Sequence, residues 1–236
     1  MKKINKFLSC LGSFLFAGFL GIVGSKVNAH KFKLVFIGDA GVGKTSIIDR
    51  YVQDIFNNNV LSTVGADFVQ VFMTAPGGEE VELDIYDTAG QEKFRSLTPV
   101  YFRGSDAAIL VTDMSEPTSL TRQSIGGHIG LLNSQCPDLL TILVVNKSDL
   151  VSGQTKYEVV STLEQNYKEP GQVTEVIHTS AKTGEGIDEL FKFVADSLCG
   201  RYNNFNFESQ TTGRHPHALQ ITDEIDSTAK KKACCK

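Results

Sequence analysis

The sequence predicts an α/β fold built on a six-stranded, mostly parallel sheet with one antiparallel edge strand and helices on both faces. Three observations carry that prediction. After residue 30, short runs that are nearly all apolar alternate with segments of helical period. Strands apolar along their whole length imply a sheet covered on both sides. One pair of runs is instead joined by the tight turn Pro76-Gly77-Gly78, which makes a hairpin and so adds the antiparallel edge.

The elements follow in order. KFKLVFI (31–37) is the first strand, followed by a glycine-rich loop and a helix over 45–53. ADFVQVFMT (66–74) and EEVELDIY (79–86) form the hairpin, and AAILVTDM (107–114), TILVVNK (141–147) and VTEVIHTS (173–180) are the remaining strands. Helices are predicted over 117–134, 155–167 and 186–198. Gly126-Gly127 weighs against the first of these three, because each glycine costs roughly 1 kcal/mol relative to alanine in a helix interior. From Gly200 to Ala229 the chain is polar, rich in Asn, Thr and Ser and without apolar period, which predicts a flexible tail. The predicted organisation is a hydrophobic signal- or anchor-like segment (1–30), a globular domain (31–199) and a tail (200–236).

A chain of 236 residues with 41% hydrophobic content is large enough for one domain with a real core. The net charge of −4 gives no positive field to attract nucleic acid, so no nucleic-acid partner is expected. Five cysteines, odd in number and without zinc-type spacing, argue against a disulfide framework and for a reducing compartment. The N-terminus points elsewhere. Lys2, Lys3 and Lys6 precede an uncharged run from Phe7 to Ser25, and Val27-Asn28-Ala29 offers a small-residue end. That layout fits a cleaved secretory signal, an uncleaved anchor or an extension without targeting value.

Gly38-Asp39-Ala40-Gly41-Val42-Gly43-Lys44-Thr45-Ser46 satisfies G-x-x-x-x-G-K-[ST], the phosphate loop of P-loop NTPases, in the strand–loop–helix context that gives the motif its meaning. Glycines let successive backbone N–H groups turn toward phosphate oxygens, and the helix presents its positive end to the same place. Lys44 reaches the β- and γ-phosphates and Thr45 offers a hydroxyl to Mg²⁺. Asp39 is expected to face solvent.

The loop does not choose the base. Asn146-Lys147-Ser148-Asp149 does, since it follows TILVV at the carboxyl end of a strand, where open α/β sheets bind ligands. A carboxylate such as Asp149 can accept from both N1–H and N2–H₂ of guanine, whereas adenine offers no such pair. The Asn146 amide pairs near O6 and N7, and the Lys147 stem lies against the ring. A further strand ends in Ser180-Ala181-Lys182, whose backbone N–H meets O6.

With these motifs, residues 32–198 resemble the Ras superfamily of small GTPases, and specifically the Rab family. The Rab-like stretches are VGADF (64–68), ELDIY (82–86), QEKFRSLT (91–98), YFRGS (101–105) and LVTDMS (110–115). The resemblance implies a switch in vesicle and membrane trafficking that binds GTP/GDP with Mg²⁺ and hydrolyses GTP. It places Phe56, twelve residues past the loop lysine, on the guanine, and Thr63, nineteen past it, over Mg²⁺. In Asp87-Thr88-Ala89-Gly90-Gln91, Asp87 holds Mg²⁺ through a water, the Gly90 N–H senses the γ-phosphate and Gln91 orients the attacking water. The expected metal set is therefore Thr45, Thr63 and Asp87, and the expected catalytic set is Gln91, Lys44 and Gly90. An uncharged amide suffices because phosphoryl transfer needs positioning and charge neutralisation more than a strong base. Arg95 and Arg103 match Rab sequence around the second switch and supply no arginine finger, which predicts slow intrinsic hydrolysis and reliance on an activating protein. Ala40 stands where relatives carry serine or glycine, with its methyl near the γ-phosphate.

The resemblance also implies an exchange factor, an activating protein and effectors acting through the switch regions. Phe68, Tyr86 and Tyr101 occupy the places of the Phe, Trp and Tyr that effectors read in Rabs, with Tyr86 for the usual Trp. The terminal Cys234-Cys235 resembles a doubly prenylated Rab end, and the preceding lysines favour an anionic leaflet. These features predict a monomer anchored by lipid at the cytosolic face of an endomembrane; the N-terminal segment leaves export as a Rab mimic as the alternative. A nucleotide-loaded scaffold with little turnover is the rival function. An ATP-dependent kinase is disfavoured by the Asn146–Asp149 and Ser180–Lys182 pair.

Overall fold

A computed structural model describes residues 29–58, 63, 65–90 and 101–212. Its sheet has six strands: β1 (His30–Ile37), β2 (Ala66–Thr74), β3 (Glu80–Thr88), β4 (Ala107–Asp113), β5 (Leu140–Asn146) and β6 (Glu175–His178), in the order β2-β3-β1-β4-β5-β6. Only β2 and β3 pair antiparallel, with Phe68 opposite Tyr86; the other pairs are parallel. The predicted fold class and its antiparallel edge are therefore the observed ones.

Strand β1 lies at the centre with β3 on one side and β4 on the other, so the chain leaves it at the point where the strand order reverses. The parallel strands also share an end. Ile37, Thr88, Asp113, Asn146 and His178 terminate β1, β3, β4, β5 and β6, and each is followed by a loop on that side of the sheet. The sequence motifs are brought together there because they all sit at strand carboxyl ends.

Two apolar layers hold the sheet. Leu34 and Phe36 of β1 face one side, packing with α1 (Lys44–Gln53) and with Phe191 and Val194; Val35 and Ile37 face the other, with Ile125, Ile129 and Leu132. Strands β4 and β5 are buried at every position, the signature of central strands covered on both faces.

Helix boundaries differ from the sequence expectation. Helix α2 (Arg122–Gln135) starts later than the predicted 117, after a series of turns, because Thr121 caps it by accepting from the Ser124 N–H at 3.2 Å. It forms despite Gly126-Gly127, since Ile125, Ile129 and Leu132 are buried on one face and supply the stabilisation that propensity lacks. Helix α3 (Gly153–Leu163) starts under a Ser152 cap and passes into a π-helical turn at Glu164–Lys168. Helix α4 (Ile187–Thr212) runs past the predicted end at 198, so the first part of the expected flexible tail is helical. Adding residues to a formed helix needs no new nucleus, which lets a polar stretch continue it.

The described residues up to 200 belong to one compact unit and those from 201 to a second, whose described part is the last portion of α4. Among the described residues no helix is long and apolar enough to cross a membrane. The predicted N-terminal segment lies outside the described residues except for its last two positions, and the terminal cysteines lie outside them altogether.

A Cβ placed on Gly127 meets nothing within 4 Å. Gly127→Ala is therefore expected to raise unfolding free energy by about 0.5–1 kcal/mol in urea denaturation; a loss of stability would mean that the glycine serves a contact.

Candidate functional site

A cleft of about 380 Å³ opens at the shared strand ends. It is lined by the phosphate loop (Ala40, Gly41, Gly43, Lys44, Thr45, Ser46), by Phe56 and Thr63, by Gly90, and by Asn146, Lys147, Asp149, Ala181 and Lys182. Residues that are far apart in sequence and were read separately thus face one space. The volume falls in the range of small-molecule sites.

Gly43 has φ +98°, and a Cβ there would stand 2.4 Å from the Asn146 amide nitrogen, so both its conformation and its surroundings require glycine. Lys44 is buried, and its Nζ donates to the carbonyl oxygens of Gly38 and Asp39 at 3.0 Å each. Burial pushes the Lys44 ammonium below its ordinary pKa, while Asp87 and Asp39 pull it back. A buried cation satisfied only by loop carbonyls is one that an anionic ligand stabilises further.

The hydroxyl of Thr45 donates to Asp87 Oδ2 at 2.5 Å and lies 3.0 Å from that of Thr63. Burial raises the Asp87 pKa above the usual carboxylate value, and the Thr45 hydroxyl and Lys44 oppose it. Asp87 Oδ1 is buried and has no hydrogen-bond partner among the described residues. An orphaned carboxylate oxygen beside two hydroxyls is an all-oxygen set that suits a hard cation such as Mg²⁺. Among the described residues there is no cluster of three or more His, Cys, Asp or Glu, so a cation here would complete its shell with phosphate and water rather than with further side chains.

On the base side, Asn146 is buried. Its Nδ2 donates to the Val42 carbonyl at 2.8 Å, and its Oδ1 accepts from the Ala181 N–H and the Thr179 hydroxyl, each at 3.2 Å. One amide therefore ties the phosphate loop to the Ser180–Lys182 loop. Asp149 Oδ1 accepts from Ser180 Oγ at 2.6 Å, and its Oδ2 lies 3.6 Å from Lys182 Nζ. Lys147, in the left-handed region at φ 63°, pairs with Asp113 at 2.6 Å. Burial would raise the Asp113 pKa, but Lys147 and Ser115 outweigh it, and the carboxyl lies below its ordinary value. Asp113 was not singled out in the sequence, although its place at the end of β4, in register with Asn146, is a usable signal.

The Ras family model matches residues 33–199. Over 211 residues the chain is 35% identical to "Ras-related protein Rab-21" of Dictyostelium discoideum, covering 86% of this chain and 96% of that protein. The chain is a Rab-family small GTPase of the Ras superfamily. Proteins of this family bind GTP and GDP with Mg²⁺ in general.

In this small GTPase Thr63 and Gly90 both line the cleft. A Cβ on Gly90 would come within 2.4 Å of the Asp39 carbonyl oxygen and 2.6 Å of the Ala40 nitrogen, so Gly90 packs its backbone closely on the phosphate loop. Gln91 and Arg95 lie outside the described residues. Asp39 faces solvent in part, its side chain keeping 36% exposure, but it is also held: its carboxylate accepts from Ser124 Oγ at 2.5 Å and lies 3.8 Å from His128 Nε2, both on α2 and too distant in sequence to be foreseen. Phe68, Tyr86 and Tyr101 form one row, with ring centroids 5.2 and 6.3 Å apart, and Phe68 is 48% exposed.

Asp87 supplies a pH and metal test. Its raised folded-state pKa means that the nucleotide-free protein loses stability as pH rises from the unfolded carboxyl value, near 4, through the folded one. Asp87→Asn is expected to remove that slope from thermal melts and to weaken Mg²⁺-dependent stabilisation by roughly 10–100-fold in Mg²⁺ concentration. An unchanged Mg²⁺ titration would exclude Asp87 from the metal site.

Proposed function

We propose that this protein is a GTP-hydrolysing switch acting in vesicle traffic, with GTP and GDP states distinguished by Thr63 and Gly90. The observation that carries this reading is the single cleft lined by Lys44, by Thr45, whose hydroxyl reaches the buried Asp87 carboxylate behind it, and by the bridged pair Asn146 and Ala181. Backbone N–H groups of the phosphate loop and Lys44 hold the β- and γ-phosphates in line with the attacking water. Thr45, Thr63 and Asp87 would hold Mg²⁺, which when bound would neutralise charge on those phosphates. Gln91 orients the water, and the Gly90 N–H follows the γ-phosphate. Asp149 accepts from N1–H and N2–H₂ of guanine while Phe56 packs on the ring. When the γ-phosphate leaves, Thr63 and Gly90 lose their ligand, and the adjoining segments are released from the geometry that partners read. The row of Phe68, Tyr86 and Tyr101 is the surface we assign to effectors, and exchange and activating proteins are assigned to the same switch regions. Cys234 and Cys235 carry the lipid that holds a monomer at the cytosolic face of an endomembrane; the uncharged N-terminal run supports export as the alternative location.

A low-turnover scaffold is the second reading, motivated by Ala40, which lines the cleft in the phosphate loop. The test is to identify the co-purified nucleotide and follow γ-phosphate release in single turnover, for wild type, Gln91→Leu and Ala40→Gly. The switch predicts bound guanine nucleotide and an intrinsic rate on the order of 10⁻⁴–10⁻³ s⁻¹, lowered at least tenfold by Gln91→Leu. Bound adenine nucleotide would reject the base assignment; no measurable release in wild type with recovery in Ala40→Gly would favour the scaffold.

Asp149→Asn isolates base recognition. Loss of the carboxylate is expected to weaken GDP by roughly 100-fold or more, since a buried donor pair is left without its acceptor. Unchanged GDP affinity would remove Asp149 from the site.

A further inference from the structure

Arg50 lies on α1, one and a half turns beyond the lysine and threonine of the phosphate loop, and no nucleotide motif includes it. Its side chain is 17% exposed. The guanidinium donates through Nε to the Ala181 carbonyl and through Nη2 to the Lys182 carbonyl, both at 2.7 Å. Its third nitrogen, Nη1, reaches Asp54, donating to the carbonyl at 3.2 Å and to Oδ1 at 3.0 Å. Asp54 is the left-handed C-cap of α1, at φ 57°, and lies two residues before Phe56. One planar group thus grips the loop that reads the base edge and the turn that carries the aromatic ring for the base face.

The directions of these bonds matter. A trans peptide carries its N–H opposite its C=O, so drawing the Ala181 carbonyl toward α1 turns the Lys182 N–H away from α1. The neighbouring Ala181 N–H is already taken by Asn146 Oδ1. Neither carbonyl belongs to a strand or helix; Gly184 N–H to Ser180 O and Thr183 N–H to Ser180 Oγ close the turn around them, and Arg50 bonds the two carbonyls themselves. A lysine cannot reproduce this arrangement, because its ammonium is a single point on a flexible stem, whereas the guanidinium presents donors in a rigid fork.

We propose that Arg50 is a positioning residue for base selection: it fixes the Ala181–Lys182 peptide so that the Lys182 N–H meets the 6-oxo group of guanine, and it sets the turn leading to Phe56. This rests on the guanine-binding reading and deepens it. It also couples the two halves of the site, since the helix that begins with the phosphate-binding residues ends in the group that orders the base loop.

The experiment measures dissociation constants of Mg²⁺-bound GDP and of the diphosphate of 2,6-diaminopurine riboside, which has an amino group in place of the 6-oxo group and no N1–H; the second change faces Asp149, which no variant alters, so it cancels when the selectivity of each variant is divided by that of wild type. The proteins are full-length wild type, Arg50→Lys and Arg50→Ala. In wild type the analogue sets a donor against the Lys182 N–H and is rejected. In both variants GDP is expected to weaken at least tenfold and the analogue no more than twofold, so that selectivity at position 6 falls at least fivefold. Equal weakening of the two ligands would show a merely structural role and overturn the proposal, as would GDP affinity within twofold of wild type. Wild-type protein that binds neither GDP nor GTP would instead reject the guanine-binding reading. Should Arg50→Ala fail to fold, Arg50→Lys, which keeps the charge and most of the stem, decides the question.

Discussion

The site depends on a buried side-chain amide. Asn146 ends β5, between the phosphate loop that follows β1 and the Ser180–Lys182 loop that follows β6, and it bonds to both. With water excluded, each of these hydrogen bonds contributes about 1 kcal/mol net, but an unmade one would leave a buried polar group at a cost of about 1–3 kcal/mol. That asymmetry makes the arrangement close to all-or-none. If the amide is satisfied, the phosphate cradle and the base pocket have one relative position; if it is not, both lose it. Gly43 belongs to the same constraint, because any side chain there would displace the amide.

Around this fixed pair two residues of the cleft are attached lightly. Thr63 and Gly90 touch the phosphate end through a hydroxyl and through close backbone packing, and neither is embedded in the apolar layers. The orphaned Asp87 oxygen and the carbonyl-bound Lys44 are the complementary feature: charged groups held in a dry place with less than their full complement of partners. Such groups raise the energy of the empty site, so a polyanion with its cation gains more on arrival than it would at a relaxed surface.

Much of this was legible in the sequence for a physical reason: the strands are short, apolar and bounded by polar motifs, and parallel topology then brings every motif to one end. The six strands, the hairpin edge and the cleft loops after β1, β3, β5 and β6 follow from that, whereas Phe56 and Thr63, between α1 and β2, were placed only by the family resemblance. What could not be read depends on contacts distant in sequence. Asp39 looks like a solvated loop carboxylate until α2 brings Ser124 against it. Arg50 looks like a polar residue on the outer face of a helix until the base loop folds back over it. Helix ends failed for a different reason. Residues 117–121 contain several possible caps, and only packing selects Thr121, while α4 continues into polar sequence because extension of a formed helix needs no apolar face.

The central claim is that one amide holds two loops, and amide hydrogen exchange in the GDP-bound protein tests it most directly. In Asn146→Ala, exchange at residues 41–44 and at 181–183 is expected to quicken together, at least tenfold in each loop, while the β4 amides keep their protection. Faster exchange in one loop alone, or in neither, would contradict the account.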